Sequence, residues 1–330
     1  MYSAYYFDLL GECADMPAAE AVRCIEAECD RFQINKTGPG YVIASFDSEH
    51  LDGIADRISL THSIGRFLGS CTPDDLSSVE DIELPPGSFA IRGKRFKGMM
   101  KDVDSQDLIR RAGGILSKKN DVDLKEPDTV VRMNMSDSIN LFIEERTIEK
   151  DLLEKRKVGE RPFFSPISLH PKYARALINL TGVKKGGTVL DPFCGTGGIV
   201  IEAAEMGMKA MASDFDEEMV FGCQENMDFY GLALSDIQVA DISDIPSLFN
   251  EIDAVATDPP YGRSTKTGGE NIDHIYNRAL DSIPKVLKKG ARAGTVLPHP
   301  IDTDRMVLEN MYVQYVHGSL SRHYHIFRYQ

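Results

Sequence analysis

The 330-residue sequence has no apolar run of the roughly 20 residues that a membrane helix needs. Residues 1–8 also lack the basic region and following apolar stretch that mark a secretory signal. We therefore expect an intracellular, cytoplasmic protein that does not associate with membranes. With 42% hydrophobic residues, the chain is long enough to form two or three domains, each with its own buried core.

Cysteine is scarce in this chain. The six cysteines stand at positions 13, 24, 29, 71, 194 and 223, scattered rather than grouped as in a zinc site. This arrangement favours reduced thiols over disulfides, and we predict no bound metal. His323 and His325 resemble a metal-binding pair, but strand alternation explains their spacing.

Positive charge is also in short supply. The 37 Lys and Arg residues face 51 Asp and Glu residues, which gives a net charge of −14. Such a balance excludes a protein that coats nucleic acid, because phosphate binding depends on neutralisation by basic residues. Residues 89–119 differ, with nine basic residues against three aspartates, and predict a local RNA contact. The alternative is a solvated loop and helix face. The candidate RNA-binding residues of this segment are Arg92, Lys94, Arg95, Lys97, Lys101, Arg110 and Arg111.

The first half of the chain predicts two small α+β units. Residues 1–58 contain a strand (2–9), a helix (18–32), a strand (41–46) and a helix (49–58), with Gly38-Pro-Gly40 as a turn. The second unit, 59–146, is predicted to hold strand 89–92, helix 105–116, and strands 129–135 and 140–145. The charged stretch 147–161 is predicted to be a linker.

The second half, 162–330, alternates between strands and helices. Strands are predicted at 188–191, 209–213, 237–240, 253–257 and 292–297, with helices at 170–180, 198–206, 217–230 and 273–287. Such alternation indicates an α/β fold with a doubly wound, mostly parallel sheet. The last two strands, 312–316 and 320–329, predict a terminal antiparallel hairpin.

Two motifs carry most of the functional information. The run Thr188-Val-Leu-Asp-Pro-Phe-Cys-Gly-Thr-Gly-Gly198 is an apolar strand, an acidic residue and a glycine turn that leads into a helix. This is the Rossmann-like arrangement for a nucleotide-like cofactor, in which glycine lets the backbone approach the ligand. Sixty residues later stands Asp258-Pro-Pro-Tyr-Gly262. Together the motifs resemble class I S-adenosylmethionine-dependent methyltransferases that modify an exocyclic amine.

Four aspartates follow predicted strands: Asp191, Asp214, Asp241 and Asp258. Any one of them alone is typical of a helix N-cap. Because ligands of a doubly wound sheet lie beyond the carboxyl ends of its strands, four in register predict one binding cleft. The glycine turn also permits an NAD site, but that alternative leaves Asp258-Pro-Pro-Tyr261 unexplained.

The Asp-Pro-Pro-Tyr segment suits transfer to an aryl amine, which is a weak nucleophile because its lone pair is delocalised. We expect the Asp258 carboxylate and the Pro259 carbonyl to accept hydrogen bonds from the amine, and the Tyr261 ring to stack on the base. Guanine offers two adjacent donors to an ionised carboxylate, whereas adenine places an acceptor beside its amine. The segment therefore favours guanine modestly and leaves adenine open.

Three further segments extend the resemblance across the chain. They are Phe89-Ala-Ile-Arg-Gly-Lys-Arg95, Asp104-Ser-Gln-Asp-Leu-Ile-Arg-Arg-Ala-Gly-Gly114 with Val122-Asp-Leu-Lys-Glu-Pro-Asp128, and Arg161-Pro-Phe-Phe-Ser-Pro-Ile-Ser-Leu-His-Pro171. The first two resemble a THUMP domain, and the whole chain resembles the archaeal tRNA (guanine(10)-N2)-methyltransferases. The resemblance implies ferredoxin-like (1–58) and THUMP (59–146) domains that grip tRNA. It also implies a methyltransferase domain (162–330) with a seven-stranded sheet.

The resemblance assigns roles to single residues. It implies that Asp214 binds the cofactor ribose, that Phe215 packs on adenine, and that Asp241 and Ile242 meet the adenine edge. The residues expected around the rest of the cofactor are His170, Asp191, Phe193, Gly195, Thr196 and Gly197. Apart from the resemblance, Arg263 in the polar loop 262–271 is a candidate to contact phosphate or close over the base, and a flexible surface loop is the alternative.

Two other functions remain open on sequence grounds. One is a nucleic-acid adenine-N6 methyltransferase, because Asp-Pro-Pro-Tyr also occurs in that class. The other is a non-catalytic tRNA-binding factor with a vestigial methyltransferase fold. For the leading interpretation we expect tRNA as the partner, no DNA substrate, and a monomer. The sequence leaves open whether one or two methyl groups are added.

Overall fold

The computed structural model describes residues 1–165, 168–261, 269–318 and 320–330. The chain divides into two compact units. Unit 1 consists of Met1–Gly11, Cys29–Ala55 and Thr61–Ile148. Unit 2 consists of Glu12–Glu28, Asp56–Leu60 and Glu149–Gln330. Within the described residues, no helix is both long enough and apolar enough to cross a bilayer.

Unit 1 is built on one eight-stranded sheet. Its strands are β1 (Tyr2–Leu9), β2 (Phe32–Gly38), β3 (Tyr41–Asp47), β4 (Thr61–Cys71), β5 (Ser88–Arg95), β6 (Asp121–Val122), β7 (Thr129–Met135) and β8 (Ile139–Thr147). They lie in the order β2-β3-β1-β4-β8-β7-β5-β6, antiparallel except that β5 runs parallel to both β6 and β7. One sheet thus runs through both α+β segments that the sequence suggested.

The helix predicted at 18–32 is shorter than expected. Helix α1 covers Met16–Glu28, and β2 begins at Phe32 and pairs with β3. Gly40 joins these two strands with a φ of +79°, a conformation that a side chain disfavours. Hydrogen bonding to a neighbouring strand therefore outweighed the helical spacing of apolar residues. Helix α2 (Leu51–Arg57) lies inside the predicted helix 49–58.

Helix α3 (Ser105–Leu116) covers one face of the sheet in unit 1. The side chain of Asp104 caps it by accepting from the backbone N–H groups of Gln106 and Asp107. Leu108, Ala112 and Leu116 recur every four residues and are buried. They join a core that includes the strand residues Phe89, Ile91, Val131 and Met133. The basic residues of α3 therefore lie on its outer face.

Unit 2 is a seven-stranded, doubly wound sheet with helices on its faces. Its strands are β9 (Thr188–Asp191), β10 (Lys209–Asp214), β11 (Asp236–Val239), β12 (Ile252–Thr257), β13 (Leu287–Leu297), β14 (Val307–His317) and β15 (Leu320–Arg328). Besides α1, its helices are α4 (Lys150–Glu154), α5 (Pro171–Leu180), α6 (Gly198–Glu205), α7 (Glu217–Phe229), α8 (Ile245–Leu248) and α9 (Ile272–Val286).

The sheet order β11-β10-β9-β12-β13-β15-β14 confirms the predicted fold class. The first five strands are parallel, and the hairpin β14–β15 adds antiparallel to β13. Strand β13 begins at Leu287, five residues before the prediction. The parallel strands β9, β10 and β12 all end at one edge, which brings the residues after them together.

Within unit 2, the part of the charged segment from 149 to 161 packs onto helix α6. Arg156 makes two hydrogen bonds to the fully buried Glu202, at 2.7 and 3.0 Å, and Arg175 on α5 donates to the same carboxylate at 2.9 Å. Arg161 is also buried, and it donates to the Arg156 carbonyl and, at 3.4 Å, to the Thr196 hydroxyl. Through Arg161, this segment therefore contacts Thr196 of the glycine turn.

Candidate active site

The turn between β9 and α6 depends on two glycines in the left-handed region. Gly195 has a φ of +47° and Gly197 a φ of +84°. A Cβ on Gly197 would also lie 2.9 Å from the Cys223 sulfur, closer than atoms in contact approach. Because Gly195 has no atom within 4 Å of its missing Cβ, its backbone faces open space. The turn thus leaves its main chain accessible to a ligand.

A cavity of about 270 Å³ lies against this turn. It is lined by Ser165, Ser168, Leu169, Asp191, Phe193, Cys194, Gly195, Thr196, Gly198, Ile199, Asp214, Phe215, Asp216, Met219, Asp258, Pro259, Pro260 and Tyr261. Nine of the residues singled out from the sequence are therefore brought to one cavity, among them both Gly195 and Asp258.

A second cavity, of about 170 Å³, adjoins the first. Phe193, Phe215 and Pro260 line both cavities. The second one also contains the predicted adenine-edge residues Asp241 and Ile242. The two cavities together form an elongated space along the carboxyl ends of β9, β10 and β12.

Burial raises the pKa values of two carboxylates in the larger cavity. Asp191 is 2% exposed, and burial raises its pKa to about 7, although it accepts from the Thr257 hydroxyl at 2.6 Å and the Phe193 N–H at 3.2 Å. Burial likewise raises the pKa of Asp258 to about 6. The negative charges of Asp214 and Asp258 add to the rise at Asp191.

The predicted ribose ligand, Asp214, already holds the turn. One of its oxygens accepts from the Gly195 N–H at 3.0 Å, and the other accepts from the Asp216 N–H at 3.0 Å. Burial raises its pKa, while these backbone hydrogen bonds oppose the rise. Asp214 therefore fixes the shape of the glycine turn and also lines the cavity.

The Asp-Pro-Pro-Tyr segment is held from two sides. The Tyr276 hydroxyl, on α9, donates to the Pro260 carbonyl at 2.9 Å. The Tyr261 hydroxyl donates to Asp258 Oδ1 at 2.5 Å, so its ring is tied to the carboxylate. Pro259 is buried and lines the cavity beside them.

Asp241, predicted to lie at the adenine edge, has a partner that the sequence did not predict. Arg278, on α9, bonds to Asp241 and Glu270 and donates to the Ser243 hydroxyl at 2.9 Å. The backbone N–H of Ser243 and the Arg278 charge hold the pKa of Asp241 below its usual range, although burial opposes them. Ile275 and Arg278, three residues apart on α9, both line the second cavity. That helical spacing is the signal in the sequence by which Arg278 could have been found.

His170 lies at the N-cap of α5. Its Nδ1 accepts from the Lys172 N–H at 3.2 Å, and its Nε2 lies 3.1 Å from Glu154. The preceding residues Ser168 and Leu169 line the cavity instead. The sequence indicated the segment that contains these residues, but it pointed to His170 and not to Ser168 and Leu169 as the residues that line the cavity. Arg263 lies outside the described residues.

Three of the basic residues in unit 1 bond to other parts of the same unit. Arg92 donates to the Leu124 carbonyl at 2.6 Å, and Lys94 donates to Asp8 at 3.0 Å. Arg95 donates to the carbonyl of Met100, at 2.6 Å, and to that of Val103. Arg95 thereby shapes the loop 96–103.

The other four basic residues predicted to bind RNA lie in the loop 96–103 and on helix α3. Lys97 lies 5.6 Å from the centre of the Phe96 ring, and Lys101 makes no hydrogen bond or ion pair with the described part of the chain. On α3, Arg110 pairs with Asp107 at 3.1 Å, and Arg111 donates to the Pro73 carbonyl at 3.1 Å. The residues 97, 101, 110 and 111 therefore keep charge at the surface.

Comparison with known proteins identifies the family. A family model described as the RMKL-like methyltransferase domain matches residues 158–320, and the THUMP domain model matches residues 78–143. A tRNA (guanine(10)-N2)-dimethyltransferase of Methanothermobacter thermautotrophicus is 34% identical over 94% of this chain and 95% of its own. The Pyrococcus abyssi enzyme of the same name is 33% identical over 98% of both chains. The chain belongs to the tRNA (guanine(10)-N2)-dimethyltransferase family.

Solved structures agree with this assignment at the level of fold. TrmN from Thermus thermophilus superposes with a TM-score of 0.55 at 22% identity, covering 99% of this chain and 100% of its own. SMU.472, a methyltransferase solved in complex with SAH, has a TM-score of 0.50 at 16% identity over 100% of this chain and 98% of its own. Both solved structures therefore share the fold of this chain over nearly its whole length.

The residues of the larger cavity fit S-adenosylmethionine. Four carboxylates line it (Asp191, Asp214, Asp216 and Asp258), and its lining contains no Lys or Arg among the described residues. The positive sulfonium and ammonium groups of S-adenosylmethionine would neutralise these charges, whereas the pyrophosphate of NAD would be repelled. The described part of this methyltransferase contains no group of three His, Cys, Asp or Glu residues placed to hold a metal ion.

Proposed function

We propose that this enzyme transfers two methyl groups in succession from S-adenosylmethionine to the N2 amine of a guanosine in tRNA. The position is guanosine 10, as in the names of the relatives that match nearly the whole chain. One observation carries the proposal: Asp258 and the open backbone of Gly195 line the same cavity. An amine held by Asp258 therefore lies beside the methyl donor.

The residues of the chain would hold the cofactor along both cavities. The carboxylate of Asp191 faces its positive end, and Asp214 accepts from its ribose hydroxyls. Phe215 with Ile242 offers apolar surface for adenine. The bound cofactor supplies an electrophilic methyl group on a positively charged sulfur. Asp241 lines the second cavity, and its carboxylate can accept a hydrogen bond from the adenine amine.

The transfer requires orientation more than strong base catalysis. Asp258 and the Pro259 carbonyl accept hydrogen bonds from the N2 amine, which directs the nitrogen lone pair toward the methyl carbon. The cofactor would give up its methyl carbon as the N–C bond forms, and the electron pair of the broken S–C bond would remain on its sulfur. The proton then lost from N2 passes to the Asp258 carboxylate, which releases it to solvent. With a pKa of about 6, this carboxylate is mostly ionised at neutral pH and can accept that proton.

The charge of Asp258 favours guanine over adenine. An ionised carboxylate accepts from both the N1–H and the N2 amine of guanine, whereas the N1 of adenine presents a lone pair that repels it. The base must leave its helical stack to reach the cavity, at a cost of a few kcal/mol. Basic residues of unit 1, inside the THUMP match, offer charge for the tRNA phosphates.

The test compares Asp258→Asn with the wild-type enzyme on unmodified tRNA and labelled S-adenosylmethionine. We expect transfer to fall about 100-fold or more, because the neutral amide loses an acceptor for the reacting amine. Cofactor affinity, measured by calorimetry, should fall far less than transfer does, because Asp191, Asp214 and Asp216 remain in the lining. Asp281→Asn, which removes an exposed carboxylate on α9, is the matched control and should retain activity.

Nucleoside analysis of the product distinguishes the alternatives. N2,N2-dimethylguanosine supports the proposal. A product that stays monomethylated at long reaction times would show that the enzyme transfers one methyl group and not two. N6-methyladenosine would instead identify an adenine methyltransferase. Tight tRNA binding with no cofactor binding would identify a non-catalytic factor. Undiminished transfer by Asp258→Asn would remove the role given to this carboxylate.

A further inference from the structure

Arg161 is a buried cation beside the glycine turn of unit 2. It is 4% exposed and donates to the Arg156 carbonyl at 3.0 Å, while its Nη2 is enclosed without a hydrogen-bond partner among the described residues. Its neighbours Arg156 and Arg175 share the Glu202 carboxylate, whereas Arg161 forms no ion pair with any acidic residue that the structure describes. Burying a guanidinium is costly unless a negative charge compensates for the lost water. A ligand that brings a negative charge would meet that need.

Two hydroxyls connect Arg161 to the larger cavity. Its Nη1 lies 3.4 Å from the hydroxyl oxygens of Ser168 and Thr196 and donates to each. Ser168 and Thr196 line the cavity, whereas Arg161 stands behind them. Because a guanidinium has no lone pair to offer, each hydroxyl accepts from it and keeps its own proton for another acceptor. The two hydroxyls can therefore donate into the cavity.

Gly198 makes room for this arrangement. A Cβ at this position would lie 3.0 Å from the Ser168 hydroxyl and 3.2 Å from Arg161 Nη1, which is tighter than ordinary contacts. The absent side chain lets the guanidinium and the serine approach the start of helix α6. The first backbone N–H groups of a helix have no partners within it. The cavity wall at 196–198 thus combines two hydroxyls with main-chain donors, and a positive charge lies behind it.

The rest of the cavity favours ligands of the opposite charge. Its four aspartates attract positive groups and repel negative ones. S-adenosylmethionine carries both kinds of charge, because its methionine portion has a carboxylate beside the ammonium group. That carboxylate needs hydrogen-bond donors to offset the repulsion. The wall at Ser168 and Thr196 offers such donors.

We propose that Arg161 is a positioning residue for the carboxylate of S-adenosylmethionine, which it recognises through the hydroxyls of Ser168 and Thr196. The role rests on the proposed function, since it requires this cofactor. Arg161 turns the two hydroxyls toward the ligand and supplies positive charge behind them. Hydrogen bonds to a charged group are stronger than those between neutral groups. The site therefore distinguishes S-adenosylmethionine from an analogue that lacks the carboxylate.

The test uses decarboxylated S-adenosylmethionine, which keeps the sulfonium and the amine. Calorimetry measures the affinities of both ligands for the wild-type chain and for Arg161→Gln. The ratio of the two affinities is compared between proteins, because loss of the carboxylate also changes the net charge of the ligand. We expect Arg161→Gln to weaken S-adenosylmethionine binding about tenfold and binding of the analogue by less than about threefold. Arg305→Gln, which removes an exposed arginine from the same unit, is the matched control and should leave the ratio unchanged.

Ser168→Ala combined with Thr196→Val provides an independent test should Arg161→Gln not fold. This double variant keeps the charge and removes the hydroxyl donors, so the preference for S-adenosylmethionine should fall in it as well. A merely structural role for Arg161 predicts an equal loss of affinity for both ligands, together with a lower Tm. An unchanged ratio in either variant would overturn the inference.

Measurements on the wild-type chain separate this inference from the proposed function. Binding of S-adenosylmethionine without methyl transfer to tRNA would overturn the proposed function alone. Methyl transfer by the wild-type enzyme, together with a ratio that Arg161→Gln leaves unchanged, would overturn the inference alone.

Discussion

Replacement of Asp191 by Asn should stabilise the cofactor-free protein in a pH-dependent way. Both donors to this side chain, the Thr257 hydroxyl and the Phe193 N–H, bond to Oδ1. An asparagine keeps that oxygen as an acceptor and removes the charge. The substitution therefore changes electrostatics with little change in packing.

The sign and size follow from the pKa of Asp191, which burial raises from 3.8 to about 7. Between these values the folded protein binds more protons than the unfolded chain, so the free energy of unfolding falls as pH rises. The variant does not ionise at this position and avoids that loss. Its advantage over wild type should therefore grow by about 2–3 kcal/mol between pH 5 and pH 8, at about 1.4 kcal/mol per pKa unit.

Urea unfolding followed by far-UV circular dichroism at pH 5, 6, 7 and 8 measures this difference. The chain contains no tryptophan, so indole fluorescence cannot replace it. A stability difference that stays constant across these pH values would refute the argument. Calorimetry at pH 8 should show the opposite effect on function. Asp191→Asn should bind S-adenosylmethionine about tenfold or more weakly, because a carboxylate facing a positive ligand is lost.

Two further predictions concern binding. Arg278→Ala should weaken S-adenosylmethionine binding about tenfold in calorimetry, because Asp241 and Glu270 lose the cation that holds them. The affinity for tRNA should not change, and an equal loss of affinity for both ligands would contradict this. Lys97→Ala with Lys101→Ala should reduce the slope of log affinity for tRNA against log salt by about 1.5 without lowering Tm. Arg95→Ala, the comparison variant, should lower Tm because Arg95 holds its loop. An unchanged salt slope in the double variant would show that its lysines are merely solvated.

The class of fold in unit 2 followed from the sequence because each parallel strand is short, apolar and ends at a recognisable residue. Asp191 and Asp258 mark the ends of β9 and β12, and strand direction alone places them at one edge. The extent of α1 did not follow, because Phe32 continues a helical spacing of apolar residues. The pairing of β2 with β3 is a contact that no local pattern records.

The candidate site divides in the same way. Residues inside the two motifs were found because a glycine turn and Asp-Pro-Pro-Tyr are recognisable from the order of a few adjacent residues. Arg278 was missed, because it bonds to Asp241 from 37 residues further along the chain. The basic segment was predicted as one set, yet Arg95 supports a loop and Lys101 stays at the surface. Composition does not distinguish these uses of charge.

The hydroxyl of Tyr261 occupies an oxygen of Asp258 before any base arrives. An ionised carboxylate has about four lone-pair sites, so Asp258 can keep this hydrogen bond while it accepts from a base. The phenol therefore fixes the rotation of the carboxylate in the free enzyme. A purine that enters the cavity meets an acceptor whose direction is already set, and it does not have to order that side chain itself.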